Sequence, residues 1–199
     1  MQPMVALTAE QIVARRPALV VVGGSAGAVE ILQRITSPLT TSFGPAMAVV
    51  LHMPSGSRGV LHELLAAPWR PPMKVAEDKE PMAPGSIYFA TPGYHLLVEA
   101  DGAFALSLDE PVHYSRPSID VLFETAAEAY KDRVLGVILS GANSDGADGL
   151  RMIAEAGGAT IVQQPDTAEV PAMPQAAMDA CPDAYVADVA AIARLLASL

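Results

Sequence analysis

The chain has 199 residues, of which 51% are apolar and 17% are charged, and its formal net charge is −10 at pH 7. This composition is typical of one globular domain, or at most two, and excludes a disordered chain, while the acidic balance argues against nucleic acid as the main partner. No apolar run approaches the ~20 residues of a membrane span, and the first residues lack the basic start of a signal peptide.

Apolar runs alternate with helical patterns in the first third of the chain, after a lead-in over residues 1–17. The predicted elements there are a short helix over 11–16 started by Thr8 or Glu10, a strand over 19–23, a helix over 28–35, a strand over 46–51, and a helix that carries Val60, Leu61, Leu64 and Leu65.

The middle of the chain has a different character. A strand is predicted over 86–90, and two strand-like runs, 95–100 and 103–108, flank the pair Asp101-Gly102, which is a strong hairpin signal. The alternation then resumes with a helix capped by Ser118, a strand over 134–140, a helix from Ala147 to Gly157-Gly158, a strand over 159–163, a helix over 174–180, a strand over 184–186, and a helix capped by Asp188.

This order of elements predicts an α/β fold with a doubly wound, mostly parallel sheet in a Rossmann-like three-layer arrangement, into which a β-hairpin is inserted. In such a sheet, functional groups gather where the parallel strands end. Ser25, His52 and Asp145 follow three different predicted strands, so we expect them at one edge of the sheet.

A hydroxyl, an imidazole and a carboxylate are the parts of a nucleophilic triad. In this hypothesis His52 takes the proton of Ser25, and Asp145 holds the imidazole in the right tautomer and stabilises the imidazolium. The hypothesis predicts Ser25 Oγ within hydrogen-bond reach of His52 Nε2 and Asp145 behind the ring, and an Asp145 far from His52 would rule it out. The order Ser…His…Asp differs from that of the α/β-hydrolases, so a triad here stands on another scaffold.

Each of these residues also has a simpler interpretation. Ser25 could be a helix N-cap, His52 a structural residue at a strand end, and Asp145 part of a turn. A serine at a helix start also suits a phosphate, but the G-x-G-x-x-G spacing of a dinucleotide-binding turn fails at Ala26 and Ala28. From the residues alone, catalysis and purely structural roles remain equally open.

Five segments also match, in order, the motifs of one family: 21–27 (VVGGSAG), 50–54 (VLHMP), 116–123 (RPSIDVLF), 136–150 (GVILSGANSDGADGL) and 172–177 (AMPQAA). The chain therefore resembles the catalytic domain of the chemotaxis methylesterase CheB family. The resemblance implies a serine hydrolase without metal or cofactor, with Ser25 as nucleophile, His52 as base and Asp145 as orienting acid. It implies hydrolysis of glutamate γ-methyl esters on chemoreceptor signalling helices in the cytoplasm, and often deamidation of receptor glutamines.

Further site residues follow from this resemblance. The backbone N–H of Ala26 is the natural oxyanion donor, and the loop at Ala142, where the family commonly has methionine, is expected to supply a second donor. Apart from the resemblance, Arg116 before Pro117-Ser118 is interpreted either as lining the substrate approach or as anchoring the hairpin. The alternative function is a non-catalytic or non-chemotactic signalling module of the same fold that binds helical partners.

The family usually carries an N-terminal receiver domain, and too few residues precede Leu19 to hold one. We therefore predict a lead-in over 1–17, a methylesterase domain over 18–199 and no receiver domain, and a free-standing chain is favoured over a fragment.

The remaining candidate residues are given structural interpretations. His62, His95 and His113 lack metal-ligand spacing with a carboxylate, and Asp148 is interpreted as a charge in the first turn of a helix. Cys181, the one cysteine, excludes an internal disulfide and is interpreted as a small buried residue.

Overall fold

The computed structural model describes residues 6–53, 63 and 65–199. The strands are β1 (Leu19–Gly24), β2 (Ala46–Leu51), β3 (Met73–Val75), β4 (Ile87–Phe89), β5 (His95–Val98), β6 (Phe104–Ser107), β7 (Val134–Ile138), β8 (Ala159–Gln163) and β9 (Tyr185–Ala187). The helices are α1 (Ala9–Ala14), α2 (Ala28–Thr36), α3 (Ile119–Tyr130), α4 (Ala147–Glu155), α5 (Ala172–Ala180) and α6 (Val189–Leu196).

Seven strands form one sheet in the order β3-β4-β2-β1-β7-β8-β9, and every pair in it is parallel. The chain starts in the middle of this sheet at β1, builds outward through β2 and β4, and returns through β7 to build the other half. The strands β5 and β6 form a separate antiparallel hairpin. These pairings confirm the predicted α/β fold with a doubly wound parallel sheet and a hairpin insertion.

Helices cover both faces of the sheet. Along β1, Val20 and Val22 belong to an apolar cluster shared with α1, α2 and α6, while Leu19 and Val21 belong to a second cluster shared with α3, α4, α5 and the hairpin. Because both faces are covered, the central strands are apolar at consecutive positions rather than alternating ones. Packing on both faces and pairing on both edges hold the central strands β1, β2 and β7 in place, and their carboxyl ends lie side by side at one edge of the sheet.

Helix starts follow the capping residues found in the sequence. The side chains of Thr8, Ser118 and Asp188 accept hydrogen bonds from backbone N–H groups at the starts of α1, α3 and α6, respectively. Thr8, and not Glu10, caps α1, and it forms a capping box with Gln11. None of the described helices is long and apolar enough to cross a membrane.

One observed strand was not predicted, and one predicted helix lies mostly outside the described residues. The strand β3 was not expected, because its three half-buried residues include Lys74 and show no apolar run. Of the predicted helix after β2, Leu65 is helical and buried. Val60, Leu61 and Leu64 lie outside the described residues.

Candidate active site

Three adjacent strands bring their carboxyl ends to the same level. Gly24 of β1 pairs with Leu51 of β2, and the His52 N–H continues the ladder by donating to the Gly24 carbonyl at 3.0 Å. On the other side, the Ser25 N–H donates to the carbonyl of Ser140, which follows β7, at 2.9 Å. Neighbouring strands lie about 4.8 Å apart. The structure thus places Ser25 and His52 side by side at the sheet edge.

Ser25 begins a tight turn rather than the helix itself. The Ala28 N–H donates to the Ser25 carbonyl at 3.0 Å, and the N-cap of α2 is Gly27, without a side-chain cap. Gly27 has φ +77°, and a Cβ there would lie 2.6 Å from the Cβ of Glu169, so the turn requires glycine. The N-cap interpretation of Ser25 is therefore wrong, and its half-buried side chain is not used for capping.

Ala26, which follows Ser25, is exposed. Within the described part of the chain, its backbone N–H has no hydrogen-bond acceptor. The same holds for the N–H of Ala142, which is exposed in the loop after β7. Both N–H groups are thus available to an incoming group.

The Asp145 carboxylate is fully buried and accepts hydrogen bonds on both oxygens. Oδ2 accepts from His52 Nε2 at 2.8 Å and from the Ile119 N–H at 2.8 Å. Oδ1 accepts from Ser118 Oγ at 2.8 Å and from the Asp120 N–H at 3.0 Å. The carboxylate therefore sits at the N-terminus of α3, where backbone donors and the helix dipole favour a negative charge.

These contacts decide the charge of Asp145. Burial alone would raise its pKa, but the hydrogen bonds from His52, from the Asp120 and Ile119 N–H groups and from Ser118 outweigh it. The pKa of Asp145 consequently lies below its ordinary value. The residue is a carboxylate at neutral pH and can only accept hydrogen bonds.

This charge also assigns the tautomer of His52, whose side chain is 13% exposed. An ionised Asp145 can only accept, so His52 Nε2 carries a proton, and in the neutral form of the ring Nδ1 is the nitrogen without one. The expected contact of Nε2 with Ser25 is not what the structure has, because Nε2 faces Asp145. No hydrogen bond joins Ser25 Oγ to His52 among the described residues.

Arg116 contacts the chain that leaves the hairpin. Its Nη1 donates to the carbonyls of Leu108 and Asp109 at 2.8 and 2.9 Å. These contacts favour the interpretation of Arg116 as an anchor of the hairpin.

A cluster that the sequence did not reveal lies behind the site. His113, Asp120 and Asp148 each offer a metal-ligand atom within 4.8 Å of the others. Burial and the charge of Asp145 together raise the pKa of Asp120 to about 6, against the hydrogen bond from the Gly149 N–H, which lowers it. Asp120 Oδ1 accepts that N–H at 2.7 Å, so this carboxyl caps the start of α4. The cap accounts for the position of Asp120 without a metal ion.

Other histidine and cysteine interpretations can be compared with the structure. His95 is buried; its Nδ1 accepts from the Ser118 N–H and its Nε2 donates to the Glu110 carbonyl, which is a structural role. His62 lies outside the described residues. Cys181 is buried, as expected, and burial raises the pKa of its thiol.

Comparison with known proteins finds the same family that the sequence motifs resemble. The family model for CheB methylesterase matches residues 20–196. A putative protein-glutamate methylesterase/protein-glutamine glutaminase of Leptospira interrogans is 46% identical over 180 residues, which cover 90% of this chain and 93% of the relative. A protein-glutamate methylesterase/protein-glutamine glutaminase of Methanospirillum hungatei is 36% identical over 181 residues, and the match spans 52% of that longer protein.

A solved structure matches as well. The crystal structure of the Thermotoga maritima CheB methylesterase catalytic domain superposes with a TM-score of 0.86 at 32% sequence identity, covering 91% of this chain and 97% of that one. The fold and the sequence therefore both match this family over nearly the whole chain. The chain belongs to the CheB methylesterase family.

Proposed function

We propose that this protein is a protein-glutamate methylesterase that removes γ-methyl esters from glutamates on chemoreceptor helices in the cytoplasm, and that it also deamidates receptor glutamines. The names of the relatives support this class of reaction. The observation that carries the proposal is the 2.8 Å contact between His52 Nε2 and the fully buried Asp145 carboxylate, at the sheet edge where Ser25 also lies.

In the first step Ser25 Oγ attacks the ester carbonyl carbon. Its proton passes to Nδ1 of His52, the nitrogen that Asp145 leaves free, and the ionised Asp145 stabilises the resulting imidazolium. The carbonyl oxygen becomes an oxyanion and receives hydrogen bonds from the N–H groups of Ala26 and Ala142. The tetrahedral intermediate collapses when His52 returns the proton to the methoxy oxygen, so methanol leaves and a glutamyl ester of Ser25 remains.

Water completes the reaction. His52 Nδ1 takes a proton from the water as its oxygen attacks the acyl carbon, and the same two N–H groups stabilise the second oxyanion. Collapse breaks the bond to Ser25 Oγ, which regains its proton from His52. The products are a receptor glutamate carboxylate and the free enzyme. With a glutamine substrate the same sequence releases ammonia.

The buried charge and the accessible nucleophile lie on different sides of the site, as this mechanism needs. The carboxylate that must stay ionised is held by four hydrogen bonds in the interior. The nucleophile and the proposed oxyanion donor occupy the more accessible side of the site, with Ser25 half-buried and Ala26 exposed. A glutamyl side chain on the surface of a receptor helix would approach Ser25 from this side.

Methanol release from a methylated chemoreceptor tests the proposal. We expect Ser25→Ala to abolish release and to leave the thermal unfolding midpoint unchanged within a few degrees. The matched control is Ser144→Ala, which removes an exposed serine in the loop before Asp145 and should keep normal turnover. Normal turnover by the Ser25 variant would refute the assignment of the nucleophile.

Labelling separates this function from the alternative of a signalling module that binds helical partners without turnover. A fluorophosphonate probe should modify Ser25 in the wild type and fail to label the Ser25→Ala variant. A wild type that binds receptor helices but neither reacts with the probe nor releases methanol would favour the binding module.

A further inference from the structure

Ser140 holds both sides of the turn that carries the proposed nucleophile. The residue is fully buried at the end of the run that continues β7. Its carbonyl accepts the Ser25 N–H at 2.9 Å, and its hydroxyl donates to the Ala26 carbonyl at 2.7 Å. One buried residue thus binds the main chain directly before and directly after the Ser25–Ala26 peptide.

The N–H of that peptide is the oxyanion donor in the proposed mechanism. Its direction depends on the orientation of the peptide plane, which the two bonds from Ser140 restrain at either end. Donor groups stabilise an oxyanion only when they are aimed at its position beforehand. Without the Ser140 hydroxyl, the Ala26 carbonyl would lose its partner and the turn would have one restraint fewer.

The same hydroxyl also accepts the Val170 N–H at 2.9 Å. The segment at Val170 in turn holds the loop after β7, because the Gly141 N–H donates to the Val170 carbonyl at 3.0 Å and the Met173 N–H donates to the Gly141 carbonyl at 2.9 Å. Gly141 directly precedes Ala142, the second proposed donor. The Ser140 hydroxyl therefore lies at the junction of the two segments from which the oxyanion donors come.

Gln163 keeps Ser140 itself in place. This fully buried side chain accepts the Ser140 N–H through Oε1 at 2.8 Å and donates from Nε2 to the Thr167 carbonyl at 3.0 Å. All polar groups of Ser140 are thereby paired: N–H, C=O and hydroxyl. Such a saturated buried network is rigid, since breaking any member leaves an unpaired polar group.

We propose that Ser140 is a positioning residue of the esterase site, whose hydroxyl aligns the oxyanion donors through the Ala26 carbonyl and the Val170 N–H. The inference rests on the proposed function. Ser140 does not touch the substrate, because its hydroxyl is buried behind the turn. Its effect belongs to the transition state, where the oxyanion forms, and not to receptor binding.

The experiment compares steady-state methanol release by Ser140→Ala, Ser140→Thr and wild type. We expect Ser140→Ala to lower kcat about 30-fold with KM unchanged within about twofold, since a misaligned donor affects mainly the transition state. Ser140→Thr retains the hydroxyl and should recover most of kcat. The control is Thr36→Val, which removes a buried hydroxyl that donates to the Leu32 and Gln33 carbonyls of its own helix and should keep the wild-type kcat.

Each outcome supports or overturns the inference. A wild-type kcat in Ser140→Ala, a fall no larger than in Thr36→Val, or a failure of Ser140→Thr to recover would overturn the positioning role while leaving the esterase proposal intact. Circular dichroism melts of all variants, with kinetics measured well below each midpoint, separate misalignment from unfolding. A wild type without turnover would overturn both the inference and the function on which it rests.

Discussion

Replacing Asp145 with asparagine tests the charge at the centre of the site. The side chain keeps its shape, but one of its two oxygens becomes an NH2 group. In the native protein each carboxylate oxygen accepts a backbone N–H, from Ile119 at Oδ2 and from Asp120 at Oδ1. In either orientation the amide NH2 therefore points at a backbone donor, and one buried N–H loses its acceptor.

The magnitudes follow from these contacts. An unpaired buried N–H costs about 1–3 kcal/mol, and the lost charge at the start of α3 costs about 0.3–2 kcal/mol, so we expect Asp145→Asn to lower the free energy of unfolding by about 2–4 kcal/mol. Activity should fall further. An uncharged partner no longer stabilises the imidazolium of His52, and the equivalent change in a serine protease lowers kcat about 10⁴-fold.

The assays are urea unfolding for stability and methanol release for activity, with Asp148→Asn as the matched control. Asp148 lies three residues further along the chain, is exposed in the first turn of α4 and contacts Arg151, so its replacement should change stability by less than about 1 kcal/mol and leave kcat unaltered. The reasoning would be refuted if Asp145→Asn kept more than a tenth of the wild-type kcat, or if it destabilised the protein no more than Asp148→Asn.

Three further expectations concern neighbouring groups. Ser118→Ala removes the hydroxyl that caps α3 and donates to Asp145. We expect the free energy of unfolding in urea to fall by about 1–2 kcal/mol and kcat to fall about tenfold. An unchanged kcat would contradict a role of the Ser118 hydroxyl in orienting Asp145. The pKa of Asp120 is raised from an ordinary 3.8 to about 6, so the stability that this shift contributes is fully present below about pH 4 and is lost as the pH rises through 6. Asp120→Asn, which still faces His113, should therefore become more stable relative to wild type as the pH rises from about 4 to about 6.5, and a pH-independent difference in unfolding free energy would oppose this. Burial raises the pKa of the Cys181 thiol, so iodoacetamide should modify the native protein at least about tenfold more slowly than the urea-unfolded chain; equal rates would contradict its burial.

The central strands were readable from sequence for a physical reason. Strands covered by helices on both faces are apolar at consecutive positions, which marks β1, β2 and β7 with little ambiguity. The hairpin was marked by Asp101-Gly102, because the turn needs a positive φ and Gly102 adopts +83°. The edge strand β3 escaped prediction, since three half-buried residues on one flank of the sheet need no apolar pattern.

The positions of the candidate site residues were predictable to a similar extent. Parallel strands end at one edge, so polar residues that follow them are neighbours regardless of their separation in sequence. Which nitrogen of His52 meets Asp145 was not predictable, because it depends on where α3 begins relative to the loop after β7. That relation is set by packing, as Gly149 of α4 lies against Asp120 of α3 so closely that a Cβ there would be 3.1 Å from the Asp120 carbonyl.

The arrangement around Asp145 links stability and proposed catalysis through one set of bonds. Ser118 was identified from the sequence as a helix cap, and it is one, yet the same hydroxyl donates to the carboxylate that orients His52. The start of α3 thus needs an acceptor for its free N–H groups, and the proposed mechanism needs a buried carboxylate that stays ionised. A single side chain, Asp145, meets both needs, because the donors that would otherwise be unpaired are the groups that lower its pKa. An uncharged residue at this position would therefore have to replace a helix cap and a charge at the same time.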